Sequence, residues 1–272
     1  MSWRTIVITK RAKLDLQLGF MVVRGEDTTK VALNEIAVVL IESTAVSLTT
    51  SLLAELTKRK VKVIFCDEKR NPSSELVSYY GSHDTSNKIR KQIVWRQNTK
   101  EAVWTEIVSE KIRKQKELLE LLGKEEAELL SSYLQQIAWN DETFTRTEDN
   151  LINAALNYGY SIILSSFTRE IVVNGYITQL GLFHDNMFNQ FNLASDLMEP
   201  FRPLVDKCVL GMKLEQFEHE EKMWLVDILN QEVQIDGKIQ YVSNAIKIYC
   251  KSVFDALNED DSALVRFYKI EL

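Results

Sequence analysis

The period of the apolar pattern changes once along this chain, near residue 85, and that change restricts the fold more than any other feature. Up to residue 80, apolar side chains alternate with polar ones or run in short β-branched blocks. From Ser86 onward they recur every three or four residues, and Gly and Pro become sparse. Strands repeat with period 2 and helices with period 3.6, so each pattern can bury a face only in its own kind of element. The chain therefore reads as α+β, with an N-terminal β-rich domain over residues 1–85 and an all-α C-terminal domain over residues 86–272.

Residues 3–9, 13–19, 20–24 and 28–33 are expected strands, parted by polar or Gly breaks. IAVVLI at 36–41 is an unbroken apolar run and reads as a buried strand. Residues 49–59 set Leu52, Leu53 and Leu56 at helical spacing behind a threonine that can serve as N-cap. Residues 61–66 and 75–80 are further strands, with a turn at Asn71-Pro72-Ser73-Ser74 between them. Ile89, Ile93, Trp104, Ile107, Val108 and Ile112 mark one or two long helices. Residues 125–139, 147–174, 194–210, 213–230 and 238–257 continue in helical style, and Asp236-Gly237 is a turn.

No run of eighteen apolar residues occurs, so no membrane span is expected. The alternating N-terminus reads as a strand rather than a signal peptide. Cys66, Cys208 and Cys250 are odd in number, far apart and without a CxxC; they fit core filling in a reduced, cytoplasmic setting. The net charge of −6 conceals an asymmetry: residues 86–116 carry 9 Lys/Arg against 3 Asp/Glu, whereas residues 117–272 carry 12 against 26. The acidic total argues against polyanion binding by the whole surface, and the basic stretch leaves room for a local nucleic-acid track.

That stretch holds Lys88, Arg90, Lys91, Arg96, Lys100, Lys111, Arg113, Lys114 and Lys116, with Trp95 and Trp104 among the charges. Lys58, Arg59, Lys60 and Lys62 form a second cluster, and Lys69 and Arg70 a weaker third. Clustered cations neutralise phosphates and release counterions; the same residues also serve as an ordinary solvated helix face. The candidate metal ligands lie later. His184, one of three histidines, stands beside Asp185 and Asn186, and Asp196 and Glu199 follow, the latter just before Pro200. Imidazole and carboxylate suit Mn²⁺ or Mg²⁺ when phosphate oxygens and water complete the shell. The competing readings are a hydrogen-bonding histidine, a carboxylate that complements a helix start, and an ion-paired Arg202. His83 sits in the expected interdomain turn, and His219 lies in an acidic helix as a surface residue. No HxxxH, GxGxxG, P-loop or GxSxG motif is present, so triad and nucleotide hydrolysis have no support.

RTEDNLINAALNYGYSIILSSFTREIVVNGY (146–176), TQLGLFHDN (178–186) and FNLASDLMEPFRPLVD (191–206), together with SWRTIVITKRAKLDLQLGFMVV at the N-terminus, resemble the CRISPR-associated spacer integrases, the "Cas one" family, in their type II form. The resemblance spans essentially the whole chain. It implies a β domain that forms homodimers and a helical catalytic domain. It also implies two dimers flanking a dimer of the small companion protein "Cas two", with double-stranded DNA as substrate. In type II systems a ring-forming accessory protein and the effector nuclease take part as well. The implied chemistry is transesterification, in which a DNA 3′-hydroxyl attacks a phosphodiester of the CRISPR repeat with Mg²⁺ or Mn²⁺ as cofactor. His184 and Glu199 match the family's second and third metal ligands, Asp196 an outer partner or weaker ligand, and Arg202 a structural or phosphate-contact residue.

One departure stands out. The family's first ligand, a Glu in a segment reading like Arg-Glu-Gly-His-Ala-Ala-Lys, belongs between Trp139 and Arg146, where roughly twenty residues of helical turns are lacking. Glu142 and Glu148 are nearby carboxylates without that motif. Either a disordered segment is missing and the numbering closes over it at Thr143–Phe144, which is the expectation, or it was deleted. Deletion would leave a non-catalytic DNA-binding scaffold.

Overall fold

The structure, a computed structural model, describes residues 4–76, 82–121, 151–212 and 214–269. The expected helix at 125–139, the end of the strand at 75–80, Glu142, Glu148 and the Thr143–Phe144 junction lie outside the described residues.

The N-terminal part contains strands β1 (Arg4–Ile8), β2 (Ala12–Gln17), β3 (Phe20–Arg24), β4 (Thr28–Ala32), β5 (Ile36–Ile41) and β6 (Val46–Leu48). Helix α1 (Thr50–Lys58) and strands β7 (Lys62–Cys66) and β8 (Pro72–Leu76) follow. One sheet has the order β1-β5-β7-β8, with β5 parallel to both β1 and β7; the other has the order β4-β3-β2-β6. Every residue of β5 is buried. Val39 and Ile41 join Leu14, Met21, Leu52 and Leu56 in one core, and Val38 and Leu40 join a second core shared with the helices. A strand covered on both faces needs apolar residues at every position, which is why 36–41 shows no alternation.

Thr49 caps α1 as expected, accepting from the Leu52 N–H at 3.4 Å. The turn expected at 71–74 is displaced. The Asp67 carboxylate accepts from the Asn71 N–H at 2.8 Å and Arg70 takes φ +62°, so the reversal closes before Pro72. Pro72 then begins an edge strand, a position where its missing N–H is tolerated.

The helical part comprises α2 (Thr85–Ile93), α3 (Gln97–Leu121), α4 (Leu151–Val173), α5 (Asn192–Leu197), α6 (Arg202–Gly211), α7 (His219–Val226) and α8 (Val242–Glu259). Three expected helices change: the one at 213–230 starts only at His219 and ends in a 3₁₀ turn at Asp227–Asn230. Residues 194–210 break into α5, a 3₁₀ turn at Glu199–Phe201 and α6, because Pro200 and Pro203 cannot donate to an unbroken helix. Residues 238–257 begin as a strand: β9 (Glu232–Ile235) and β10 (Lys238–Tyr241) form a hairpin around Asp236 (φ +54°) and Gly237 (φ +71°). The helical part is therefore not purely α. Helix α4 runs through the second core, and Ile163, Phe167 and Ile171 are fully buried. A Cβ on Gly159 would lie 2.5 Å from Val205 Cγ1, so α4 and α6 approach too closely for any side chain there.

Polar contacts tie the two parts together. Buried Lys62 pairs with Glu75, which also accepts from Ser165 Oγ at 3.2 Å. Arg169 Nε donates to the Lys60 carbonyl at 2.8 Å. His219 is not a plain surface residue, since its Nδ1 lies 3.1 Å from buried Glu42. Cys66 and Cys250 are buried free thiols, and burial first of all pushes Cys66 up to about 12.

Candidate nucleic-acid site

The segment from Ile177 to Phe191 has no regular secondary structure, yet its backbone is held at many points. Gln92 of α2, 5% exposed, donates to the carbonyls of Ile177 (2.9 Å) and Leu180 (3.1 Å) and accepts from the Ile177 N–H (3.0 Å). Thr178 Oγ1 donates to the Gln190 carbonyl at 2.7 Å. Asn192 donates to the Gln179 and Asn186 carbonyls, both at 3.0 Å. The loop's asparagines thus act largely as backbone partners, a role that short amide side chains fill well.

At the centre stands Asp196 of α5, fully buried. Its carboxylate accepts from the backbone N–H groups of Leu182 (2.6 Å), Phe183 (3.1 Å) and His184 (3.2 Å), and its Oδ1 lies 2.5 Å from His184 Nδ1. A buried carboxylate needs this many donors to offset its lost hydration. A Cβ on Gly181 would sit 2.3 Å from the His184 carbonyl and 2.7 Å from Asp196 Oδ2, so the loop wraps the carboxylate only because residue 181 is Gly. The hydrogen bond to Asp196 holds the His184 imidazole above its ordinary pKa. It also occupies Nδ1 and leaves Nε2 as the ring nitrogen available to a ligand. An imidazole oriented through its second nitrogen by a carboxylate is the usual arrangement at metal sites.

Glu199 lies within electrostatic reach of His184, on the 3₁₀ turn before α6. It is buried, and burial alone would raise its carboxyl. Arg202 and Lys111 outweigh that and hold it below the usual range. Arg202 Nε donates to Glu199 Oε1 at 2.7 Å, and Lys111 Nζ of α3 forms an ion pair with Oε2 at 2.5 Å. Arg202 also stacks 4.8 Å from the Tyr160 ring, whose hydroxyl donates to buried Asp206. Burial, first of all, raises Asp206 to about 6. Tyr160 and Asp206 were not legible as site residues, because α4 and α6 bring them together across 46 positions.

The basic residues separate into groups. Lys58, Lys60, Arg90 and Lys91 are exposed. Arg59, Lys88, Arg96 and Arg113 pair with Glu55, Asp84, Asp260 and Glu110 respectively. Lys111 belongs to the Glu199 cluster rather than to a surface track. Lys114 does not fit the expected DNA contact: it is 1% exposed, donates to the Tyr268 carbonyl at 2.5 Å and lies 3.7 Å from the Tyr268 ring. Its place on α3 turns it into the core, where Glu110 offsets its charge. Of the two tryptophans, Trp95 is structural, donating to Asn258 at 3.2 Å, whereas Trp104 stacks on Phe183 beside His184.

One oriented imidazole and one buried carboxylate, now ion-paired with Arg202 and Lys111, fit two positions of a divalent cation's shell. Among the described residues no group of three or more His, Cys, Asp or Glu side chains completes that shell. Fold and site thus define a β-rich domain packed on a helical domain, with a partial oxygen-and-nitrogen donor set walled by cations. The family described as CRISPR associated protein Cas1 matches residues 5–147 and 141–227, and this chain belongs to it. The CRISPR-associated endonuclease Cas1 of Neisseria meningitidis serogroup C (strain 8013) is 32% identical over 235 positions, covering 78% of this chain and 76% of the relative. Those 235 positions take in only about 212 of the 272 residues, so roughly 23 face no residue here. Among solved structures, a casposase bound to integration product superimposes with TM-score 0.75 at 16% identity, over 96% of this chain and 92% of that one. A Cas6-RT-Cas1–Cas2 complex superimposes with TM-score 0.70 at 17% identity, over 96% of this chain and 36% of that one. No helix among the described residues is long and apolar enough to cross a membrane.

Proposed function

We propose that this protein is a DNA integrase of CRISPR adaptation, of the type II form, which joins the 3′ ends of short duplexes to the repeat by phosphodiester transesterification. The observation that carries the reading is the clamp of Asp196 on His184 beside Glu199. It presents one imidazole nitrogen and one carboxylate in a setting already rich in cations. His184 and Glu199 would hold Mg²⁺ or Mn²⁺, which when bound supplies Lewis-acid polarisation of a phosphoryl oxygen. Asp196 keeps the imidazole oriented. Arg202 and Lys111, which now offset Glu199, are placed to share charge with a phosphate once that carboxylate is otherwise engaged. The proposed partners are double-stranded DNA, a second copy of this chain, a Cas2 dimer, and the accessory ring protein and effector nuclease of type II systems.

A second reading has its own support. Both Glu199 oxygens face cations, and the family match divides at residues 141–147. These favour a non-catalytic DNA-binding scaffold. The deciding experiment incubates the full chain with its Cas2 partner, Mn²⁺, a short donor duplex and a target DNA that carries the CRISPR repeat. Strand joining that His184→Ala abolishes, with duplex binding kept within about twofold, supports the integrase. Binding without joining by the parent protein supports the scaffold, and joining by His184→Ala at the parent rate refutes the role given to His184.

A further inference from the structure

We infer that Phe183, backed by Trp104, is a stacking platform for the base of an unpaired nucleotide at the DNA end presented to His184. This rests on the DNA reading above. The two rings lie 4.8 Å apart and 3° from parallel. Phe183 nonetheless stays 64% exposed, so one face is covered by Trp104 and much of the rest is open to solvent. Both rings meet the His184 imidazole edge-on, at 5.7 Å and 5.9 Å. A base on the open ring would therefore set its own sugar and phosphate beside the imidazole.

The platform is built in advance. The Phe183 N–H is fixed by Asp196 at 3.1 Å, and Trp104 is carried on α3, so little ordering remains to be done on binding. The exposed face of a ring already stacked on a second ring offers a flat surface on which a base can stack. The surrounding charge favours a nucleic acid as the cover. Lys100, one turn before Trp104, makes no ion pair among the described residues. Aromatic rings interleaved with cations are how single-stranded segments are held, because every base has a π-face.

The test uses the full chain and a short duplex with a 3′ overhang ending in 2-aminopurine. Binding to the parent protein should quench the fluorophore. Phe183→Ala should lose most of the quench and weaken binding of the overhanging duplex about tenfold more than binding of a blunt duplex of the same length. Phe183→Trp should restore both. A quench unchanged in Phe183→Ala, or equal losses for the two duplexes, overturns the platform and leaves the DNA reading intact. Failure of the parent to bind either duplex removes both.

Discussion

Asp196 carries more of the site than its place in the sequence suggests. As one carboxylate among several it read as an outer partner or weaker ligand of a metal, and besides orienting the imidazole it anchors three backbone N–H groups. Gly181 makes that anchor possible. Gly181→Ala is expected to cost about 1–3 kcal/mol, as overpacking does, and to lower the His184 pKa followed by NMR as the clamp opens. Asp206 offers a separate test. Its folded value of about 6 lies above the ~3.9 of an ordinary aspartate, so the folded chain binds the proton more tightly than the unfolded one. The associated stability is complete below about pH 4 and is lost as pH rises through about 6. The groups facing it are the Tyr160 hydroxyl, Arg202, Lys111 and Glu199. Urea unfolding across that window should show the parent losing about 2–3 kcal/mol relative to Asp206→Asn.

Among the elements, α4 decides how tightly the helical part closes. Gly159 sits in its interior, where Ala would gain roughly 1 kcal/mol on propensity alone. With Val205 Cγ1 only 2.5 Å from the would-be Cβ, steric cost dominates. Gly159→Ala should therefore destabilise by about 1–3 kcal/mol, seen as a lower Tm in thermal unfolding with the folded-state helix signal retained. Element types were largely legible. Strand runs at 20–24 and 36–41, the Thr49 cap and the long helix through 151–173 follow from period and capping. The β9–β10 hairpin was missed although its Asp-Gly turn was read, because four-residue strands carry too few positions to show a period. The loop held by Gln92, Thr178 and Asn192 had no local signal, since its bonds run between positions up to 88 apart.

At the scale of the whole molecule, the sheet containing β5 is shared by two cores, and the Lys62–Glu75–Ser165 contact closes the seam between them. The open question at this scale is whether the residues between Trp139 and Arg146 can complete the metal shell. Grafting the corresponding segment of the Neisseria meningitidis relative between Asp141 and Arg146 should raise Mn²⁺ affinity, measured by calorimetry, by more than the roughly tenfold worth of one outer-shell partner. Tight Mn²⁺ binding by the parent that the graft leaves unchanged would mean that the chain's own residues already suffice, and the scaffold reading would lose its main support.

By itself the sequence determined the division into β-rich and helical parts, the strand buried on both faces and the pairing of His184 with Glu199 as candidates. Periodicity, capping and composition act over a few residues, so they are written locally. Only the tertiary structure decided that Asp196 orients the imidazole, that Arg202 and Lys111 offset Glu199, that Lys114 is a core cation and that Trp104 backs Phe183. Each of these depends on which helix face meets which loop. Burial then sets whether a charge is a surface contact or an interior partner, and no local pattern records that.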